Sequence, residues 1–132
     1  SEALDYLNRL HVRRSVVFVV SDFRSKPFES ALRAAKRKHD VIGISIRDPR
    51  EETLPDVGIV ELEDAETGEE ILLDTSDTHT REFFAKRFRT ESDAREAMFR
   101  SIGVDTIDVT TAQPYVDPLM KFFRMRATKI RA

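Results

Sequence analysis

Ser15-Val16-Val17-Phe18-Val19-Val20, followed by Ser21-Asp22-Phe23, is the stretch whose reading decides the fold. Five apolar residues in a row, four of them β-branched, show no alternation with polar ones. A strand with one wet face alternates with a period of two, whereas a strand covered on both faces of a parallel sheet reads as a continuous apolar run. The run is also far too short to cross a bilayer. Polar residues at its C-terminal end then lead into a helix. Ser25 is placed to cap that helix and Pro27 suits its first turn, where no backbone donor is required. Phe28, Ala31, Leu32 and Ala35 recur at three-and-four spacing, which gives the helix one apolar stripe. Arg33, Lys36, Arg37, Lys38 and His39 crowd towards its end, where cations complement the helix dipole.

Working outward, residues 1–10 read as a short helix with Leu4, Leu7 and Leu10 on one side. Downstream, Val41 to Ile46 is a second strand, closed by Arg47-Asp48-Pro49. Ile59 to Leu62 and Ile71 to Leu73, joined through residues 64–68, form a hairpin whose outer face, with Glu61 and Glu63, is wet. Asp74 to Asp77 make a capping region for a long helix reaching about Ser101. Its buried side is expected from Phe84, Phe88, Met98, Phe99 and Ile102, and Gly103 ends it. Asp105 to Val109 is a third strand, and Tyr115 to Arg126 a last helix with Leu119, Phe122 and Phe123 inward. Strands alternating with helices specify an α/β fold with right-handed crossovers. The expected architecture is a Rossmann-like half-sheet of three parallel strands flanked by helices, with an appended β-hairpin, in one domain over residues 1–132.

Composition narrows the function classes. In 132 residues, 22 basic and 24 acidic side chains leave a net charge of -2, so no global basic face exists for nucleic acid. A second basic group, Lys121, Arg124, Arg126, Lys129 and Arg131, and an acidic stretch from Glu61 to Asp74 read as solvated faces. Tyr115, Phe122 and Phe123 lie at helical spacing and are read as packing residues. Without cysteine there is neither a disulfide framework nor a thiolate metal site. Nothing resembles a signal peptide or a membrane contact, and the expected location is cytoplasmic. Enzyme chemistry finds little support. Gly43, Gly58, Gly68 and Gly103 are isolated, so no loop cradles a phosphate, and His11, His39 and His79 are scattered. Ser15, Ser21 and Ser25 lack a legible base, and Asp22 has no second aspartate two residues on to serve as acid. No catalytic residue is assigned.

Binding is better placed. Ser21 and Asp22 follow the first strand, and ligands of open α/β sheets gather beyond the carboxyl ends of strands. Asp48 and Thr110, with Thr111, end the neighbouring strands and are expected to rim the same cleft. The competing role for Ser21 and Asp22 is to satisfy backbone donors at a strand-to-helix turn. For Asp48, which precedes Pro49, turn formation is the favoured role.

Several segments resemble a bacterial family with a von Willebrand factor A-like domain, the domain-of-unknown-function 58 family. They are Arg13-Arg-Ser-Val-Val-Phe-Val-Val-Ser-Asp-Phe23, Arg37-Lys-His-Asp-Val-Ile42, Arg47-Asp-Pro-Arg-Glu-Glu52, Leu54-Pro-Asp-Val-Gly58, Glu61-Leu-Glu-Asp64, Glu66-Thr-Gly68 and Leu73-Asp-Thr-Ser76. Their order and spacing carry the resemblance over more than half the chain. It implies a Rossmann-like sheet, a site at the carboxyl ends of the strands, and a protein-binding role beside a MoxR-type AAA+ ATPase in assembly or maturation of other proteins. It also aligns Ser21-Asp22 with the third loop of a metal-ion-dependent adhesion site, making Asp22 a candidate ligand for Mg²⁺ in an intact domain. The Asp-x-Ser-x-Ser loop and the threonine loop of that site have no counterpart here, so the chain is expected to be the C-terminal part of such a domain. In that strand order Ser15 to Val20 becomes a sheet edge, expected to pair with another copy in a homo-oligomer unless the first helix covers it.

Overall fold

The structure, a computed structural model, describes residues 2–10, 13–24, 27–63 and 68–131. It is an α/β fold with three parallel strands flanked by helices and a separate antiparallel pair. The chain falls into two compact units, residues 1–47 with 94–132, and residues 48–93.

In the first unit, helix α1 (Glu2–Arg9) precedes strand β1 (Val16–Ser21), helix α2 (Glu29–Lys38) and strand β2 (Asp40–Arg47). Strand β5 (Asp105–Thr110) and helix α5 (Val116–Arg131) complete it, together with the last turns of α4 (Thr78–Ile102). The sheet order is β1-β2-β5, all parallel, with Val20 beside Ile44 and Ile44 beside Ile107. Alternation along these strands separates two faces. Val17, Val19, Val41 and Gly43 look towards α2, whose Leu32 and Ala35 are fully buried in a core with Leu4, Phe23, Phe99 and Val104. Val16, Phe18, Val20, Ile42, Ile44, Ile46, Ile107 and Val109 look towards α5. Helix α1 packs on α2, where the Asn8 side-chain amide donates to the Ala31 carbonyl at 2.9 Å.

Helix ends follow local chemistry, with corrections to the expected boundaries. The first helical residue of α2 is Glu29, and Phe28 stands at the N-cap without a side-chain hydrogen bond. Pro27 therefore precedes the helix instead of occupying its first turn, while Ser25 lies outside the described residues. Helix α4 ends as its glycine demands. Gly103 sits at φ 74, its N–H donating to Arg100 and that of Val104 to Phe99, the paired closing bonds of a left-handed C-terminal cap. Of the residues expected to bury α4, Phe99 is fully buried, and Phe84, Phe88, Met98 and Ile102 are partly buried. Phe123 is likewise exposed instead of inward, and meets Phe18 edge-on with ring centres 6.0 Å apart.

Helix α5 is fastened at the amino ends of the strands. Arg126 hydrogen-bonds the carboxylate of Asp40, which starts β2, and lies 3.7 Å from that of Asp105, which starts β5. Lys36 approaches Asp40 at 3.6 Å. The hydrogen bond from Arg126, then the two cations' charges, hold the Asp40 carboxyl below its ordinary range against the opposing effect of burial.

In the second unit, Asp48 caps helix α3 (Pro49–Glu52), accepting from the Arg50 N–H at 2.9 Å with Pro49 in the first turn. Strands β3 (Ile59–Glu63) and β4 (Glu70–Asp74) form the expected hairpin, although part of its joining segment, residues 64–67, is outside the described residues. Its register puts Val60, Leu62, Ile71 and Leu73 on one face, and Glu61, Glu63, Glu70 and Asp74 with Ile59 and Leu72 on the other. Thr75 is buried beneath it, its hydroxyl donating to the Gly58 carbonyl at 2.6 Å and accepting from the Val57 N–H at 3.0 Å. Asp77 then caps α4 through the Thr80 N–H at 3.0 Å, with the Thr80 hydroxyl at 2.8 Å.

Candidate functional site

Helix α5 starts beyond the carboxyl end of β5 and runs back to the amino ends of the strands, where Arg126 fixes it. Cover along the α5 face therefore varies. On β2, Ile42 is 1% exposed and Ile46, four residues on, 39%. On the edge strand β1, Val16, Phe18 and Val20 are 56%, 45% and 59% exposed. Near the carboxyl ends of the strands the gap opens into a cleft of about 480 Å³. Val20, Ile44, Ile46 and Val109 form its apolar lining from the sheet, and Thr110, Thr111, Gln113, Tyr115 and Leu119 line it from the β5–α5 connection and the start of α5. The connection is held by its own backbone: the Thr111 N–H donates to the Arg47 carbonyl at 2.9 Å, and the Thr110 hydroxyl accepts from the Ala112 N–H at 3.4 Å.

Of the residues expected to rim one cleft, Thr110 and Thr111 line this one, whereas Ser21 ends β1 at the other edge of the sheet, Asp22 follows it, and neither lines the cleft. Their polar atoms serve a turn. The Ser21 hydroxyl accepts from the Phe23 N–H at 3.0 Å and approaches Asp22 Oδ1 at 3.4 Å, and that carboxylate oxygen accepts from the Arg24 N–H at 3.2 Å. These bonds hold Phe23 at φ 54, a left-handed conformation that costs a residue with a side chain about 1–2 kcal/mol. Packing offsets that strain. The turn drives the Phe23 ring into the core, 4.9 Å from the centre of Phe99 and 5.3 Å from that of Phe28. Gly43 leaves the room: a Cβ there would already touch Phe23 and the Thr106 methyl at 3.5 Å. Asp48 belongs to the second unit, where it is the turn-forming cap described above.

Among the described residues no group of three or more His, Asp or Glu side chains converges to hold a metal ion. Asp22 alone does not fit Mg²⁺, which takes six oxygens in octahedral array. No helix among the described residues is long and apolar enough to cross a membrane. Tyr115 and Leu119, expected from the sequence as packing residues, instead line the cleft with Ile46, and Tyr115 is exposed. Their apolar character was legible, but the site forms only because α5 is tethered at one end of the sheet and lifts away at the other.

A family model described as protein of unknown function DUF58 matches residues 1–94. The chain belongs to the DUF58 family. Among its relatives, Uncharacterized protein MAV169 of Mycobacterium avium is 32% identical over 125 residues, which are 94% of this chain and 73% of the relative. Uncharacterized proteins of Mycobacterium bovis and Mycobacterium tuberculosis are each 31% identical over 126 residues, 94% of this chain. This DUF58 chain spans 39% of the length of those two relatives. No solved structure matches it.

Proposed function

We propose that this DUF58 chain is a protein-binding module, part of a von Willebrand factor A-like domain, whose cleft beside α5 receives an apolar side chain of a partner protein. The cleft carries the reading: its sheet-side lining is aliphatic, and its polar side chains are two threonines, a glutamine and a tyrosine hydroxyl. Such a lining favours aliphatic or aromatic groups and gives a charged metabolite few partners to replace its water. The partner class is a MoxR-type AAA+ ATPase acting in assembly or maturation of other proteins, which places the module in the cytoplasm. The ordered motif run from Arg13 to Ser76 supports this choice, through its resemblance to the ATPase-associated family. Calorimetric titration with such an ATPase from the same organism tests it. Binding to wild type that weakens about thirtyfold or more in Tyr115→Ala, a hot-spot-sized loss, supports the reading. Absence of heat with wild type rejects the ATPase as partner, and equal affinity of the variant rejects the cleft.

The placement of Asp22 at the carboxyl end of β1 favours one further reading, a divalent-metal-dependent ligand site completed by oxygen ligands elsewhere in an intact domain. Titration of Mg²⁺ into wild-type and Asp22→Ala forms of a longer protein separates it. Equal heats from the two forms would end it.

A further inference from the structure

We propose that His39 is an acid-sensitive latch: its neutral, enclosed ring holds the start of β1, and protonation of the ring releases that end of the strand. His39 closes α2, its backbone N–H donating to the Ala35 carbonyl at 2.8 Å, and the residue is 2% exposed. The ring Nδ1 accepts from the Ser15 N–H at 3.4 Å. Asp40, the next residue, donates its own N–H to the Ser15 carbonyl at 2.9 Å. Ser15, directly before β1, is thus held by both of its backbone polar groups. These bonds run inward, to the α2–β2 corner, and are the same whatever lies along the outer edge of β1. The strand they seat carries Val20 into the cleft and ends at Ser21, so the latch acts on an element of the candidate site.

Hydrogen bonding sets the state of the ring. A nitrogen that accepts carries no hydrogen, so the neutral ring has its hydrogen on Nε2. That atom is buried and has no hydrogen-bond partner among the described residues. A further proton must enter at Nδ1, where it meets the Ser15 N–H, donor against donor. The charge it brings is then enclosed with no acceptor at either nitrogen, the arrangement that burial penalises most. Neighbouring charges act in the same direction. On α2, Lys36, Arg37 and Lys38 directly precede the ring, and Arg13 and Arg14 directly precede Ser15. Helix α1 reaches this corner where Lys38 donates to the Asn8 carbonyl at 2.7 Å, and Arg9 follows in its last turn. The carboxylate of Asp40 is already engaged by Lys36 and by Arg126 of α5, against which Asp105 of β5 also lies. The carbonyl end of α2 favours a cation, but among the described residues no carbonyl bonds either ring nitrogen.

Urea unfolding of wild type and His39→Asn across a range of pH tests the latch. Asparagine offers an acceptor near the Nδ1 position and takes up no proton, and all other titrating groups, His11 and His79 included, cancel in the comparison. The unfolded chain binds a proton that the latched ring does not, so the latch is fully stabilising above about pH 6.5 and loses effect below it. Between about pH 8 and about pH 5 the folding equilibrium constant of wild type falls about tenfold or more relative to the variant, with a ceiling of about thirtyfold. Equal pH dependence of the two proteins overturns the proposal. Nuclear magnetic resonance of the wild-type chain needs no variant. Near neutrality the ring nitrogen shifts show Nδ1 bare and the hydrogen on Nε2, and in acid the Ser15 amide signal moves in step with any charge the ring gains. A hydrogen on Nδ1 near neutrality, or a Ser15 amide indifferent to a charged ring, overturns it as well.

Discussion

The two faces of the parallel sheet are built from the same kind of residue and end in opposite states. Along β1, Val17 and Val19 turn to α2 and pack against its core, while Val16, Phe18 and Val20 turn the other way and stand about half exposed. Composition does not explain this, because all five are large and apolar. Cover does. On one side α2, α1 and the last turns of α4 close over the strands. On the other, α5 is alone, tethered through Arg126 to the amino ends of β2 and β5, and leaves the carboxyl ends and that side of β1 only partly covered, with Phe123 against Phe18. An apolar run that meets cover on only one side marks the other side as a surface for something else.

The closed face should show the largest effect. Leu32→Ala removes a fully buried side chain and is expected to cost about 3 kcal/mol in urea unfolding. A loss below about 1 kcal/mol would mean that the α2 face is not the core.

The tether of α5 comes next. Arg126→Ala is expected to cost about 1–2 kcal/mol, held down by the partial exposure of Arg126 and Asp40. The effect has a pH signature. Asp40 is held below its ordinary value of 3.8, so its contribution is full above that value and disappears as pH falls through the lowered folded value. The stability gap between wild type and Asp40→Asn should therefore be widest near neutrality and close in acid, as followed by unfolding at several pH values. A gap that widened in acid would contradict the assignment.

Gly103→Ala forces a side chain into φ 74 at the end of α4 and should cost about 1 kcal/mol by thermal unfolding. The smallest effect belongs to the open face. Tyr115→Ala, at the mouth of the cleft, should change the stability of the isolated chain by less than about 0.5 kcal/mol, as expected of an exposed side chain. A large loss there would turn the cleft from a binding surface into a part of the core.

Much of this was legible in the chain itself. The unbroken apolar run announced β1, the alternation around Glu61 announced the hairpin, and Gly103 marked the end of α4, because each rests on local periodicity or backbone freedom. The start of α2 was misplaced because Phe28 takes the N-cap position for its packing, against the preference for a side-chain oxygen there. The left-handed Phe23 has no sequence signal, since its strain is offset only by a core assembled from distant residues. Phe123 was misassigned for a related reason: helical spacing shows which residues share a stripe, but not how much of that stripe finds cover. Of the candidate site, Thr110 and the position of Ser21 and Asp22 at a strand end were readable. The cleft was not, because it depends on the contact of Arg126 with Asp40, 86 residues away.

The most direct test compares two neighbours on β1, Val19→Ser and Val20→Ser, by urea unfolding. The closed-face change should cost about 1–2 kcal/mol and the open-face change less than about 0.5 kcal/mol. Equal losses would contradict the distinction between the two faces on which the account rests.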